Sequence, residues 1–245
     1  MDNWDVYQSS PVVADGVVYV GSEDGAIYAV SAADGSQKWR FQTGHVVRAT
    51  PAVAEGRVFC GSFDGKVYAL DSATGTELWV VDTNTPGVPW RAVQGSCAVV
   101  DGLVYVGSRS TYLYGIDART GQVRWKHSHD GGWVPSSPAV RAGVAYVGQS
   151  DGSKVVAVDA AGKRLWAFAS PHETFASPAL AGEVLYVAGN NNYNMQGKGS
   201  LCALDCATGQ ARWTLELPGS VWASPVVAGD TVYVACADGK LYAVR

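Results

Sequence analysis

Apolar and polar residues alternate along most of this chain in short runs, and Asp-Gly, Glu-Gly or Thr-Gly pairs interrupt the alternation at regular intervals. A period of two predicts half-buried β-strands, and the Gly pairs supply the positive-φ residue that tight hairpins need. The second unit shows the plan: residues 50–54 predict a strand A, 57–61 a strand B, 66–70 a strand C and 76–80 a strand D, each separated from the next by a short Gly-containing turn. No segment sustains a 3.6-residue period, so no helix of consequence is expected. The unit recurs six times, anchored at Ser10, Thr50, Ser96, Ser137, Ser177 and Ser224, with spacings of 40, 46, 41, 40 and 47. A period near forty with several short strands per unit signals a β-propeller or related array. The expectation is an all-β chain, a β-propeller of six blades of four antiparallel strands each, forming a single domain over residues 1–245, because no unit can bury its apolar faces without neighbours. The sixth unit runs only to strand C, at Leu241-Tyr242-Ala243-Val244-Arg245. Either its blade has three strands, or the chain is an excised or engineered piece of something longer.

The corner between strands C and D carries a sharper signature. Ala69-Leu-Asp71-Ser-Ala-Thr74-Gly75-Thr-Glu-Leu-Trp79 is repeated from Gly115 to Trp125 and from Ala203 to Trp213, with variants from Ala29 to Trp39 and from Ala157 to Trp166. This resembles the tryptophan-docking motif of PQQ-like propellers, the family of quinoprotein alcohol dehydrogenases and of the outer-membrane assembly lipoprotein BamB. The resemblance covers nearly the whole chain. It implies that Trp39, Trp79, Trp125, Trp166 and Trp213 wedge between neighbouring blades and that strand A is innermost. The residues agree, since each Trp alternates with polar neighbours on a strand and so buries a large area on one side. The familiar quinoprotein enzymes have eight blades and an adjacent Cys pair over the cofactor; this chain has six units and no Cys-Cys pair.

Composition narrows the function further. Hydrophobic residues make up 47% of 245, enough for a continuous core, and the 29 Gly fall mostly in the repeated turns. A net charge of −4 with no basic stripe argues against a nucleic-acid partner. No apolar stretch is long enough for a membrane helix, and the start Met-Asp-Asn-Trp-Asp is not read as a signal peptide. Five Cys, an odd number at small-residue positions, predict free thiols, which favours a cytoplasmic over a periplasmic setting.

Antiparallel strands place the B–C and D–A connections on one face of a blade array. The long connection from Trp79 to Cys97 and the insertion at residues 190–198 both fall there, and loops that grow on one face of a repeat scaffold mark its binding face. The segments leading into strand A supply the candidate ligand-binding residues Tyr7, Gln8, Arg48, Trp90, Arg91, Gln94, Trp133, Phe175 and Trp222. Flat apolar groups with a few directional polar ones are a usual recipe for a ligand site; the competing reading is that these aromatics plug a channel. His45, His127, His129 and His172 map to D–A loops near Asp82, Asp130 and Glu173 and are read as solvated, with no metal site and no catalytic residues assigned. No cofactor is expected. The functional expectation is a non-catalytic binding propeller, such as a sensor domain of a bacterial Ser/Thr kinase or an assembly scaffold, that takes a small molecule, peptide or protein on the B–C/D–A loop face. A PQQ- or metal-dependent enzyme is the alternative.

Overall fold

The computed structural model describes residues 8–191 and 197–245. It divides into two compact units, Met1–Ser128 and His129–Arg245. The first unit holds three antiparallel sheets. One is built from β1 (Val12–Ala14), β2 (Val17–Gly21), β3 (Ala26–Ser31) and β4 (Gln37–Gln42). The next has β5 (Ala52–Ala54), β6 (Arg57–Gly61), β7 (Lys66–Asp71) and β8 (Glu77–Asp82), and the third β9 (Ala98–Val100), β10 (Leu103–Gly107), β11 (Tyr112–Asp117) and β12 (Val123–Ser128). The second unit repeats the plan with β13 (Ala139–Arg141), β14 (Val144–Gln149), β15 (Lys154–Val158) and β16 (Arg164–Ala169), then β17 (Ala179–Ala181), β18 (Val184–Gly189), β19 (Gly199–Asp205) and β20 (Ala211–Leu217). Its last sheet has three strands, β21 (Val226–Ala228), β22 (Thr231–Ala235) and β23 (Leu241–Val244). Five four-stranded sheets and one three-stranded sheet are consistent with a six-bladed propeller. Among the described residues no helix is long and apolar enough to cross a membrane.

The turns form where the sequence demands them. Asp15-Gly16, Glu55-Gly56 and Asp101-Gly102 have both φ values positive, the two-residue geometry whose twist matches a hairpin. The first strand of each sheet is shorter than the alternation suggests, because the Ser/Thr anchor and the Pro or Cys after it stand outside it. The anchors are used sideways instead. Ser10 N–H donates to Thr50 Oγ1 at 3.0 Å and Thr50 N–H to Ser96 Oγ at 3.0 Å. In the second unit Ser137 N–H donates to Ser177 Oγ and Ser177 N–H to Ser224 Oγ, both at 2.9 Å. Each hydroxyl thus satisfies a backbone donor of the preceding sheet that has no ladder partner, which is why only Ser or Thr occupies this position.

A register shift in every C–D pair sets the tryptophans. Trp39, Trp79, Trp166 and Trp213 each lie opposite an Ala, at Ala29, Ala69, Ala157 and Ala203, and Trp125 lies opposite Gly115. A bulge of this kind re-aims a side chain. Trp39 Nε1 donates to Ser72 O of the next sheet at 2.9 Å, Trp79 Nε1 to Ala118 O at 3.0 Å and Trp166 Nε1 to Cys206 O at 2.9 Å. Their rings lie on the Thr-Gly turn of that sheet: a Cβ on Gly75 would come within 2.7 Å of the Trp39 ring, and one on Gly209 within 2.5 Å of Trp166. Those glycines also have φ near +70°, at +72° and +71°, so both conformation and space exclude other residues. Asp71 closes the same turn by accepting the Ala73 and Thr74 N–H groups and the Thr74 hydroxyl, and the Thr74 N–H holds its carboxyl below the ordinary range. The apolar core is made of clusters between adjacent sheets, one of which joins Phe59, Trp79, Val104, Val106 and Ile116.

All five cysteines are buried free thiols, and burial pushes Cys97 up to about 12 and Cys60 well above its usual value. The native protein should therefore react slowly with a thiol reagent at pH 8 and release five equivalents in denaturant without reductant; a count of three would reveal a disulfide. Trp79, 8% exposed, should be costly to truncate. Trp79→Ala is expected to lose about 3–5 kcal/mol and to lower Tm by roughly 10 °C in a thermal melt. Trp90→Ala should melt close to wild type.

Candidate functional site

The B–C turns and D–A connections mesh through a repeated backbone ladder. Val46 O, Ala92 O, Trp133 O, Glu173 O and Ser220 O each accept an N–H from the following B–C turn, from Phe63, Arg109, Ser150, Asn190 and Ala237 respectively. Within a unit, side chains from both kinds of loop are therefore held against one another by strands. The ladder also aligns the candidates. Arg48, Gln94, Phe175 and Trp222 each stand two residues beyond the accepting carbonyl, Trp133 supplies a carbonyl itself, and Trp90 lies two residues before one. The four aromatics that lead into strand A therefore occupy three different positions.

In the first unit the structure brings Arg48 and Gln94 together through residues of the B–C turns. The Arg48 and Arg109 guanidinium carbons both lie 5.1 Å from the Phe63 ring centroid, within cation–π range. Arg48 pairs with Glu23 Oε1 at 3.1 Å, and Arg109 donates to Gln94 Oε1 from Nε at 3.0 Å and Nη2 at 2.7 Å. His45 stacks on Phe63 at 6.4 Å. Trp90 is 53% exposed and Arg91 is exposed beside it. Gln8 is exposed, and Tyr7 lies outside the described residues. Glu23, Phe63 and Arg109 were not among the sequence candidates. Their signal is that each follows the same Ser in its B–C turn yet differs in chemistry from the other two.

In the second unit the structure brings Phe175 and Trp222 together, with ring centroids 5.2 Å apart; Phe175 is buried and Trp222 half-buried. Trp133 N–H donates to Asp151 Oδ2 at 3.4 Å. Two residues before Phe175, Glu173 forms a β-bridge with Asn190, the first residue of the inserted B–C loop. Asn190 is fully buried, and among the described residues its Oδ1 and Nδ2 have no partner; Glu173 Oε2 is likewise buried and without a described partner. At the equivalent ladder position the polar side chains are partnered: Arg109 donates to Gln94 Oε1, and Ser150 Oγ donates to Asp151 Oδ2 at 3.1 Å. Burial, and then the Asp151 charge, raise the Glu173 carboxyl. His172 accepts or donates at Nδ1 to Ser200 Oγ at 3.0 Å, and burial lowers its imidazole. The histidines are not all solvated loop residues: His127 lies on β12, and His129 is 2% exposed. Asn192, Tyr193 and Asn194 of the insertion lie outside the described residues.

A family profile described as outer membrane protein assembly factor BamB (PQQ_2) matches residues 3–132 and again residues 128–245. The chain belongs to this family of PQQ-like propellers. Solved structures with the same fold include BamB from Moraxella catarrhalis, 23% identical, with a TM-score of 0.76 over 95% of this chain and 68% of that one. The computationally designed Ika8 protein is 19% identical, with a TM-score of 0.79 over 96% and 70%. A quinohemoprotein alcohol dehydrogenase, ADHIIG from Pseudomonas putida HK5, is 22% identical, with a TM-score of 0.73 over 85% and 41%. No curated protein sequence matches. The sequence has no adjacent Cys pair, and all five thiols are buried. Among the described residues no group of three or more His, Cys, Asp or Glu is placed to hold a metal ion.

The Glu173 environment has a pH signature. A carboxyl with a raised folded-state value favours folding in its protonated form, and that contribution is lost as pH rises through the folded value. Glu173→Gln should therefore raise Tm at pH 7.5 relative to wild type and leave it level at pH 4, as read by thermal melts at both pH values.

Proposed function

We propose that this chain is a non-catalytic binding propeller that takes a peptide or protein partner on its B–C/D–A loop face, in the manner of a scaffold. The observation that carries this reading is the Glu173–Asn190 bridge. A buried amide with neither polar atom partnered among the described residues, and a buried carboxyl oxygen on the residue bridged to it, cost free energy unless something completes their hydrogen bonds. Such groups are supplied by a main-chain amide or a polar side chain of a bound segment. The neighbouring Phe175–Trp222 pair and the exposed Trp90 of the long D–A connection add the aromatic surface that anchors interfaces. The family description, an assembly factor, supports the same direction.

Random-peptide display on the folded protein tests this reading. Wild type should enrich a consensus sequence that Asn190→Ala combined with Trp133→Ala loses, while the double variant keeps a cooperative melt. Absence of any enrichment, or equal enrichment by both proteins, overturns the binding reading. A stoichiometric bound quinone in the native mass spectrum would put the enzyme reading in its place.

A further inference from the structure

In the first unit the loop face holds a guanidinium, and the chain supplies it. Arg48 pairs with the Glu23 carboxylate at 3.1 Å, and its guanidinium carbon lies 5.1 Å from the Phe63 ring centroid. The Arg48 side chain is only 12% exposed. A carboxylate and an aromatic face together hold a planar cation better than either does alone.

The second unit has the carboxylate and the rings without the cation. Glu173 O accepts the Asn190 N–H at 2.9 Å, and Phe175, two residues on, packs against Trp222. The basic residues of this unit are engaged elsewhere: Arg141 with Glu183, Lys154 and Arg164 with Asp130, Lys198 with Glu216, and Arg212 with Asp205. Among the described residues no Lys or Arg forms an ion pair with Glu173. Its Oε2 is buried without a described hydrogen-bond partner, and so are both polar atoms of Asn190, which is 0% exposed. Ser220 Oγ, on the next rung of the backbone ladder, is a further buried group of this kind. Burial and the Asp151 charge both disfavour the ionised Glu173 carboxyl, a condition that a cation relieves. Other occupants answer fewer of these demands. An anion meets the charges of Glu173 and Asp151, an apolar side chain leaves the polar atoms as costly as before, and a metal ion finds no group of three or more His, Cys, Asp or Glu among the described residues.

We infer that the Glu173–Asn190 bridge receives an arginine side chain of the partner segment, its guanidinium donating to the Glu173 carboxylate and to Asn190 Oδ1 and its plane lying on the half-buried Trp222. The inference rests on the peptide-binding reading of this face and gives that reading a chemical specificity. Glu173 is half-buried, so its carboxyl is reached from the surface. Turning the Asn190 amide toward the ligand ends the cost of keeping it buried and unbonded, and its Nδ2 then donates to a main-chain carbonyl of the same segment. Arginine suits two acceptors on two paired backbones because its N–H donors form a rigid planar fork that also stacks on rings, whereas a lysine ammonium is a point charge. Arg48 shows the same chemistry completed within the chain.

Nuclear magnetic resonance tests this with acetyl-Gly-Arg-Gly-amide and the same tripeptide carrying citrulline, which keeps the shape and removes the charge. The arginine peptide should move the Asn190 side-chain amide signal, identified by its loss in Asn190→Ala. It should bind at least about tenfold more tightly than the citrulline peptide. Glu173→Gln keeps the size of the side chain and should melt cooperatively while binding the two peptides equally. Equal binding of both peptides by wild type, an undiminished preference in Glu173→Gln, or no movement of the Asn190 signal overturns the inference. Peptide display separates this failure from failure of the binding reading: a consensus without arginine overturns the arginine site alone, and no consensus at all overturns the reading on which it rests.

Discussion

The contact between a fourth-strand tryptophan and the Thr-Gly turn of the next sheet is the interaction on which the rest of this structure depends. An isolated four-stranded sheet has two apolar faces and cannot bury either alone. Trp39, Trp79 and Trp166 solve this by crossing to the neighbour, where the indole N–H finds a turn carbonyl and the ring covers a glycine. The same carbonyls take a second donor: Ser72 O accepts from Tyr19 Oη as well as from Trp39, and Cys206 O from Tyr146 Oη as well as from Trp166. One turn therefore receives a large apolar surface and satisfies two polar tips at once, which ties the C–D corner motif to the aromatic residue of strand B.

At the opposite ends of the strands the constraint is looser. The Ser/Thr anchors link successive first strands through side-chain hydroxyls, and the D–A connections are pinned by a repeated backbone ladder with some side-chain bonds. A backbone ladder fixes position without fixing side-chain identity. The B–C turns can consequently carry Glu23, Phe63 or Arg109 at one geometric position, and Arg48, Gln94, Phe175 or Trp222 at another. Chemical variety is confined to this end, which is where a repeat scaffold can evolve recognition without disturbing its inter-sheet cores.

Most of the fold was legible in the sequence because the devices that make it are local. Alternation, Asp-Gly turns and the Thr-Gly…Trp spacing act within a dozen residues, so strands B and C of the second unit fall close to where the pattern puts them. Strand A was overestimated, since the sidelong use of the Thr50 and Ser96 hydroxyls depends on a neighbour forty or more residues away. His129 was read as solvated, and it is buried.

By itself the sequence determined the all-β repeat architecture, the shortened last unit, the free thiols and the loop face on which variable residues collect. Only the tertiary structure decided which of those residues meet. Arg48 and Gln94 are joined through Phe63 and Arg109, Phe175 packs on Trp222, and Glu173 bridges Asn190. The physical reason is that strand periodicity is written in adjacent residues. The pairing of one loop with another depends on contacts between positions far apart in the chain.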